Sequence, residues 1–158
     1  VKAKISERIN EVLKGLRNRL LAFEDMEKIE ENFLEGMQNF LIRRYSLVNR
    51  KIQFEANSDF QTLCIDKSIC IQLLNIFQEL VNNDLKYGVG KTIWKLSLAD
   101  NMLFLQLQSI TVWENKQFSS GNGHKTIQSR VDILNGKYLQ QINNGEYQAE
   151  LKIPIDSD

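Results

Sequence analysis

Four polar side chains near the end of a predicted helix have residue types and spacing suited to binding magnesium and phosphate. They lie in ELVNNDLKY, where a helix places Glu79 and Asn83 on one face and Lys86 and Tyr87 one turn further along the same side. Carboxylate and carboxamide oxygens suit Mg²⁺, and a lysine supplies charge to a phosphate. The same pattern is also typical of the solvated face of an amphipathic helix, and residue types alone favour that plainer interpretation.

The Gly-Lys-Thr at residues 90 to 92 does not have the spacing of a phosphate-binding loop. A loop of the type G-x-x-x-x-G-K-[ST] needs a glycine where this sequence has Leu85. It also needs a strand before it and a helix after it, whereas the pattern predicts a helix before Gly88 and a strand after Thr92. We therefore interpret GVGKT as the exit loop from the helix.

The hydrophobic pattern predicts three helices in the first part of the chain. An amphipathic helix is expected from Ile5 to Phe23, an interruption at Glu24-Asp25, and a second helix from Met26 to Tyr45. A strand at residues 51–56 precedes a third helix, residues 67–87, which Asp66 can cap.

Two β-hairpins with a short helix between them are expected in the rest of the chain. The segments are TIWKLSL with MLFLQLQS, a helix over residues 125–134, and KYLQQI with YQAELKIPI. This order predicts an α+β fold, in which a mixed or antiparallel sheet carries its helices on one face and an amphipathic helix comes first.

Composition excludes several classes of protein. The 158 residues suit one domain, and the 20 basic and 20 acidic residues give no excess of positive charge for nucleic acid or a membrane surface. Cys64 and Cys70 are expected to be buried thiols in a reducing compartment, rather than a disulfide or zinc site. No apolar run approaches the roughly 20 residues that span a bilayer. A cytoplasmic location is expected, although the parent protein can be membrane-anchored.

The sequence resembles the histidine-kinase-like ATPases along nearly its whole length. QELVNNDLKYG is similar to the family's N box, E-x-x-x-N-x-x-K-[HY], and GNGHKTIQSRVDILNGKY is similar to the segment GxGLxNIxxRVxxLNGK. The residues before position 56 are similar to the join between a dimerisation helix and the ATPase domain in two-component sensor kinases. The resemblance implies a two-layer α/β sandwich of the Bergerat kind, with residues 1–23 as the end of the dimerisation helix and 24–158 as the ATPase domain.

The resemblance also implies roles for individual residues. Asn83 would contact Mg²⁺ and the ATP triphosphate, Glu79 would orient the reacting group, Lys86 would face phosphate, and Tyr87 holds a position where histidine or tyrosine is usual. The glycines of the lid that closes on the nucleotide would be Gly121 and Gly123. On its own, however, GNG is equally typical of a surface turn.

The family's adenine-binding aspartate has no counterpart in this sequence. The D-x-G-x-G box that follows the first hairpin reads SITVW here, so Ser109 stands in place of the aspartate, and Thr111 and Trp113 replace the two glycines. Asp100 lies in the hairpin turn, at the wrong end of the strand to replace it. A lost charge-assisted bond to adenine costs roughly 1.5 to 3 kcal/mol, or about ten- to a hundred-fold or more in affinity.

Two functions from different classes remain open at this point. The first is a catalytic domain of a sensor histidine kinase that transfers the ATP γ-phosphate to a histidine outside this chain, because the only histidine, His124, falls in the lid segment. Its expected partners are the dimerisation and histidine-phosphotransfer helices of the parent kinase, in a homodimer, and a response regulator. The second is a pseudokinase-like interaction and dimerisation module with weak or no nucleotide binding.

Overall fold

A computed structural model describes residues 1–63, 65–113 and 122–155, except for the side chains of residues 61, 62 and 122–124. The helices are α1 (Lys2–Glu31), α2 (Phe33–Ser46), α3 (Lys67–Tyr87) and α4 (Asn122–Ile133), with a short 3₁₀ helix at Ser58–Thr62. The strands are β1 (Ile52–Ala56), β2 (Gly88–Ala99), β3 (Met102–Thr111), β4 (Lys137–Asn143) and β5 (Glu146–Pro154).

The strands form one mixed sheet in the order β1-β2-β3-β5-β4. β1 and β2 are parallel because α3 connects them as a crossover, whereas the other neighbours are antiparallel. Buried residues alternate with exposed ones along β2 and β3, so one face of the sheet packs on the helices and the other stays uncovered. The predicted α+β sandwich with helices on one face is confirmed.

The core lies between that sheet face and helices α2, α3 and α4. Its largest fully buried side chains include Trp94 on β2 and Phe77 on α3, whose rings lie 5.6 Å apart. Asp66 caps α3 as expected, because its carboxylate accepts a hydrogen bond from the Ser68 backbone N–H at 3.0 Å. The predicted bounds of α3 are confirmed.

The predicted break at Glu24-Asp25 is wrong. α1 continues to Glu31, and the chain turns at Asn32, whose side chain caps α2 by accepting from the Glu35 N–H at 3.1 Å. Asp25 is buried within the helix and forms an ion pair with Arg43 of α2. Because Arg43 neutralises this carboxylate, two acidic residues in sequence do not interrupt the helix. The domain boundary placed at residues 23 and 24 stays a prediction.

The interpretation of GVGKT as a loop is also wrong, because β2 begins at Gly88. The irregularity that its glycines indicate is a shift of register between Val89 and Thr92 in the pairing with β3. Two residues therefore bulge at Gly90, where the backbone has a positive φ of 74° that favours glycine.

The first two-thirds of α1 leaves an apolar stripe exposed. The stripe residues are each between 48% and 64% exposed, and they are Ile5, Ile9, Val12, Leu13, Leu16, Leu20 and Phe23. Among the helices of the described residues, none is both long enough and apolar enough to cross a membrane. The stripe is therefore a surface that remains without a partner in the single chain.

Gly36 is the position where α2 passes closest to α1, and we expect Gly36→Ala to destabilise the fold. A Cβ there would lie 2.7 Å from the backbone N and Cα of Ile29, so the helices would have to move apart, at a cost of about 1–3 kcal/mol. Gly15→Ala is the control, because no atom lies within 4 Å and the exchange favours a helix by about 0.5–1 kcal/mol. In denaturant unfolding, the free energy of unfolding should fall in Gly36→Ala and rise in Gly15→Ala. An unchanged free energy of unfolding in Gly36→Ala would contradict the close approach of the two helices.

Candidate functional site

α3 carries all four residues predicted to handle magnesium and phosphate, but the tertiary structure directs them to different places. Glu79 is half-buried and lines a cavity of about 300 Å³ between α1, α2 and α3, whose wall includes Arg44 and Asn82. Arg44 donates a hydrogen bond from Nη2 to Asn82 Oδ1 at 2.9 Å. The predicted catalytic carboxylate therefore lies at the contact with the N-terminal helices.

Asn83 does not lie on a solvated face, because it is only 8% exposed. Its Nδ2 donates a hydrogen bond to Gln140 Oε1 on β4 at 3.3 Å. The same Gln140 oxygen accepts from the hydroxyls of Tyr138 and Tyr147. Asn83 is thus tied to the sheet through its amide nitrogen, which leaves the carboxamide oxygen as the atom that a cation would use.

Lys86 and Tyr87 lie together at the C-terminal end of α3. Lys86 is exposed, and its ammonium lies 5.1 Å from the centre of the Tyr87 ring, a cation–π contact. Tyr87 itself is buried and packs edge-on against Trp113, with ring centres 5.0 Å apart. The charge of Lys86 remains accessible to an anionic ligand, whereas Tyr87 is held by its aromatic neighbours.

Asp84, which directly follows Asn83 in sequence, is completely buried and forms the centre of a polar cluster that the sequence analysis missed. Ser109 Oγ donates to its Oδ1 at 2.5 Å, and the hydroxyls of Tyr45 and Thr92 each donate to its Oδ2 at 2.6 Å. Arg50 Nη2 adds an ion pair at 3.3 Å to Oδ2. Both carboxylate oxygens therefore accept hydrogen bonds from protein hydroxyls.

Arg50 fixes this cluster from the loop before β1. Its Nη1 donates to the Asp84 backbone carbonyl at 2.9 Å, its Nη2 to Thr92 Oγ1 at 2.6 Å, and its Nε to the Gly90 carbonyl at 3.1 Å. One guanidinium therefore joins the end of α3 to the bulge of β2. The planar donor fork of arginine makes this possible, and a lysine would not reproduce it.

Burial keeps the phenols of this region in their neutral form. It raises the pKa of Tyr45 far above its usual range, and the charge and hydrogen bond of Asp84 raise it further. Burial likewise raises the pKa of Tyr138 and Tyr147. These hydroxyls therefore remain proton donors at alkaline pH values at which a free phenol ionises, and they can donate to Asp84 and Gln140.

The residues predicted to replace the adenine-binding box form hydrogen bonds with α3 and with each other. Ser109 is 4% exposed and its hydroxyl proton is directed at Asp84. Thr111 Oγ1 donates to the Tyr87 carbonyl at 2.5 Å and accepts from the Trp113 backbone N–H at 3.1 Å. Side chains thus fill the strand end where the family pattern has glycines, and Trp113 covers Tyr87.

Of the two predicted lid glycines, Gly121 lies outside the described residues and Gly123 belongs to the first turn of α4. α4 therefore begins at Asn122, three residues before the predicted start. It packs against the core through Ile127 and Val131, which are fully buried. Backbone amides in the first turn of a helix suit an anion, but this alone does not identify a ligand.

The fit of the site to magnesium and ATP differs between its two ends. At the phosphate end, Asn83 retains a carboxamide oxygen and Lys86 an accessible ammonium, which fit a metal-bound phosphate. At the adenine end, Ser109 is neutral, and the nearby Asp84 carboxylate already accepts from protein donors. The side chains present therefore do not fit the charged adenine anchor of the family pattern.

Several solved structures of histidine kinases have a similar fold. Neither a protein-family profile nor a curated protein matches the chain. The blue-light activated histidine kinase EL346 of Erythrobacter litoralis has a TM-score of 0.70 over 92% of this chain and 50% of its own length, at 12% identity. The structure of the histidine kinase domain of EL346 has a TM-score of 0.62 over 77% of this chain and 60% of its own length, at 11% identity.

Two further kinases have the same fold. AdeS of Acinetobacter baumannii gives a TM-score of 0.58 over 92% of this chain and 84% of its own, at 13% identity. The catalytic domain of histidine kinase ThkA has a TM-score of 0.58 over 85% of this chain and 93% of its own length, also at 13% identity. The chain has the histidine-kinase catalytic-domain fold.

This likeness is one of fold alone, because 11–13% identity carries no residue roles. The chain spans 60% and 50% of the lengths of the two EL346 chains. The similarity therefore does not assign the activity of a whole kinase to this chain. The expected fold of the sequence resemblance is nevertheless confirmed.

The sequence contains a pattern that indicates the burial of Asp84. Asp84 follows Phe77 and Leu80 at helical spacing, so the periodicity that marks the buried face of α3 includes it. A charged residue on that face requires partners, because an unpaired buried charge is too costly. No pattern, however, indicated that Tyr45, Arg50 and Thr92 would supply them.

We expect Asp84→Asn to lower the free energy of unfolding by about 3–5 kcal/mol, because the amide leaves Arg50 without its buried counter-charge and cannot accept from all the donors. Asp132→Asn is the matched control. Its exposed carboxylate accepts a hydrogen bond from Gln128 of the same helix, and a change within about 0.5 kcal/mol is expected. Chemical denaturation measures both. Equal losses would show that the Asp84 cluster is not a special source of stability.

Proposed function

We propose that this chain works in two-component signal transduction as the catalytic-domain module of a sensor histidine kinase. The observation that supports the proposal is the fold, which is similar to that of solved histidine kinases. In this fold, the helix α3 that carries the N-box-like sequence connects the parallel strands β1 and β2. The long helix α1 then corresponds to the join with the dimerisation helices of the parent protein.

In the first candidate function, the module holds Mg-ATP for transfer of the γ-phosphate to a histidine outside this chain. Asn83 would contact the metal through its carboxamide oxygen, and Lys86 would neutralise phosphate charge. Gly121 and Gly123 would belong to the lid. Glu79 would act at the contact between this domain and α1, where its carboxylate lines the cavity.

A specific observation favours the second candidate, an interaction module with weak or no nucleotide binding. The sequence resemblance assigns Ser109 to the position of the adenine-binding aspartate, and its hydroxyl donates a hydrogen bond to the buried Asp84. A ligand amino group would meet a neutral hydroxyl in place of a carboxylate, with a loss of about ten- to a hundred-fold or more in affinity. Trp113 on Tyr87 adds bulk at the same strand end.

Calorimetric titration with a non-hydrolysable Mg-ATP analogue separates the two candidates, with Asn83→Ala and its exposed neighbour Asn82→Ala as a matched pair. The kinase candidate predicts binding by the unmodified chain and by Asn82→Ala, and loss of binding in Asn83→Ala. Asn83→Ala should also lose about 0.5–1.5 kcal/mol of stability, because its bond to Gln140 disappears.

No binding heat in any of the three proteins would instead support the interaction module. Micromolar binding that survives Asn83→Ala would contradict the role given to Asn83 in the kinase candidate. The melting temperature of each variant, measured in parallel, shows whether a loss of binding reflects the site or the fold.

Both candidates require that α1 associates with a second copy through its apolar stripe. Leu16→Lys should shift the protein from dimer to monomer in light scattering, because burying such a side chain contributes about 1.5–3 kcal/mol per subunit and a buried charge opposes it. Asn10→Lys, which adds the same charge outside the stripe, is the control. A protein that is monomeric before any change contradicts the dimer.

A further inference from the structure

The uncovered face of the sheet carries a groove of about 760 Å³ across β2, β3, β5 and β4, on the side away from α3 and the Asn83 site. Its outward side chains lie in two rows that the strand register defines. One row is Ser97, Phe104, Lys152 and Lys137. The next row is Lys95, Gln106, Glu150 and Leu139.

Positive charge is concentrated in this groove although the whole chain is neutral. Lys137 and Lys152 are direct partners across the antiparallel β4–β5 pair, an arrangement in which like charges repel. Neither lysine takes part in an ion pair with a carboxylate of the described residues. The groove therefore offers two unneutralised ammonium groups side by side.

The remaining charges of the groove do not cancel this pair. Lys95 lies 3.8 Å from Glu55 of β1, and both side chains are about half exposed, so screening weakens that pair. Glu150, the acidic residue among the lining residues, accepts instead from Gln106 Nε2 at 3.4 Å. The surface is complementary to negative charge.

Apolar surface lies beside these lysines. Leu139 is 52% exposed, and the ring of Phe104 is partly exposed with the Lys152 ammonium 5.1 Å from its centre. An apolar side chain entering the groove would cover both, while carboxylates beside it would meet Lys137 and Lys152.

We propose that this groove docks an acidic segment of a partner protein that carries an apolar side chain between its carboxylates. The positive charge of the groove requires a segment with negative charge. The exposed Leu139 and the partly exposed Phe104 require an apolar side chain in that segment. This surface lies on the opposite face of the sheet from Asn83 and Ser109, so the proposal is independent of nucleotide binding.

The test is fluorescence anisotropy with a labelled peptide, Glu-Asp-Phe-Glu-Asp-Leu-Glu, added to the full chain. Binding should weaken roughly tenfold or more in Lys137→Glu/Lys152→Glu and should fall with rising salt. Lys51→Glu/Lys91→Glu is the matched control, because it makes the same charge change at exposed lysines outside the groove and should keep most of the binding. A peptide with alanine in place of phenylalanine and leucine should bind more weakly.

A single variant separates binding from folding. Lys137→Glu places opposite charges across the β4–β5 pair, so its melting temperature should stay the same or rise while peptide binding weakens. Equal effects of the two double variants, or no binding of the peptide to the unmodified chain, would overturn the proposal.

Two other results would assign the groove to a different occupant and also overturn the proposal. One is binding to phosphatidylserine vesicles, lost in Lys137→Glu/Lys152→Glu, without binding of the peptide. The other is self-association of the chain that the same double variant abolishes, since this would make a second copy the occupant.

Discussion

The buried carboxylate of Asp84 is the constraint on which most of the structure depends. A charge removed from water is costly unless donors surround it, and here the donors come from α2, the loop before β1, β2 and β3. Because Asp84 itself belongs to α3, one side chain joins five segments that are distant in sequence. The position of the last turn of α3 against the sheet follows from this requirement.

The same requirement determines the chemistry at the end of the site near Ser109. Gly88 has to lack a side chain, because a Cβ there would lie 2.3 Å from both Asp84 Oδ1 and Ser109 Oγ. A second carboxylate at position 109 would lie beside the first without a counter-charge of its own. Stability at this point and a charged ligand anchor on β3 are therefore in conflict, and the sequence has a neutral serine.

The surfaces that the core leaves open lie away from this cluster. The stripe on α1 is apolar and extends over several turns, whereas the groove on the sheet is positively charged. The first suits permanent association through hydrophobic burial, and the second suits a partner recognised by charge.

The sequence by itself determined the fold class, the bounds of α3 and its cap, because these depend on local periodicity and on a single side chain at a helix start. It also predicts that the adenine-binding aspartate is missing, and this stays a prediction. The tertiary structure alone decided that α1 runs through Asp25, since the neutralising Arg43 comes from another helix. It also decided that Asn83 is buried against Gln140 and that Asp84 is satisfied by Tyr45, Arg50, Thr92 and Ser109. Local patterns specify which face of an element is buried, but the partners of a buried polar group come from distant segments, and only their packing brings them together.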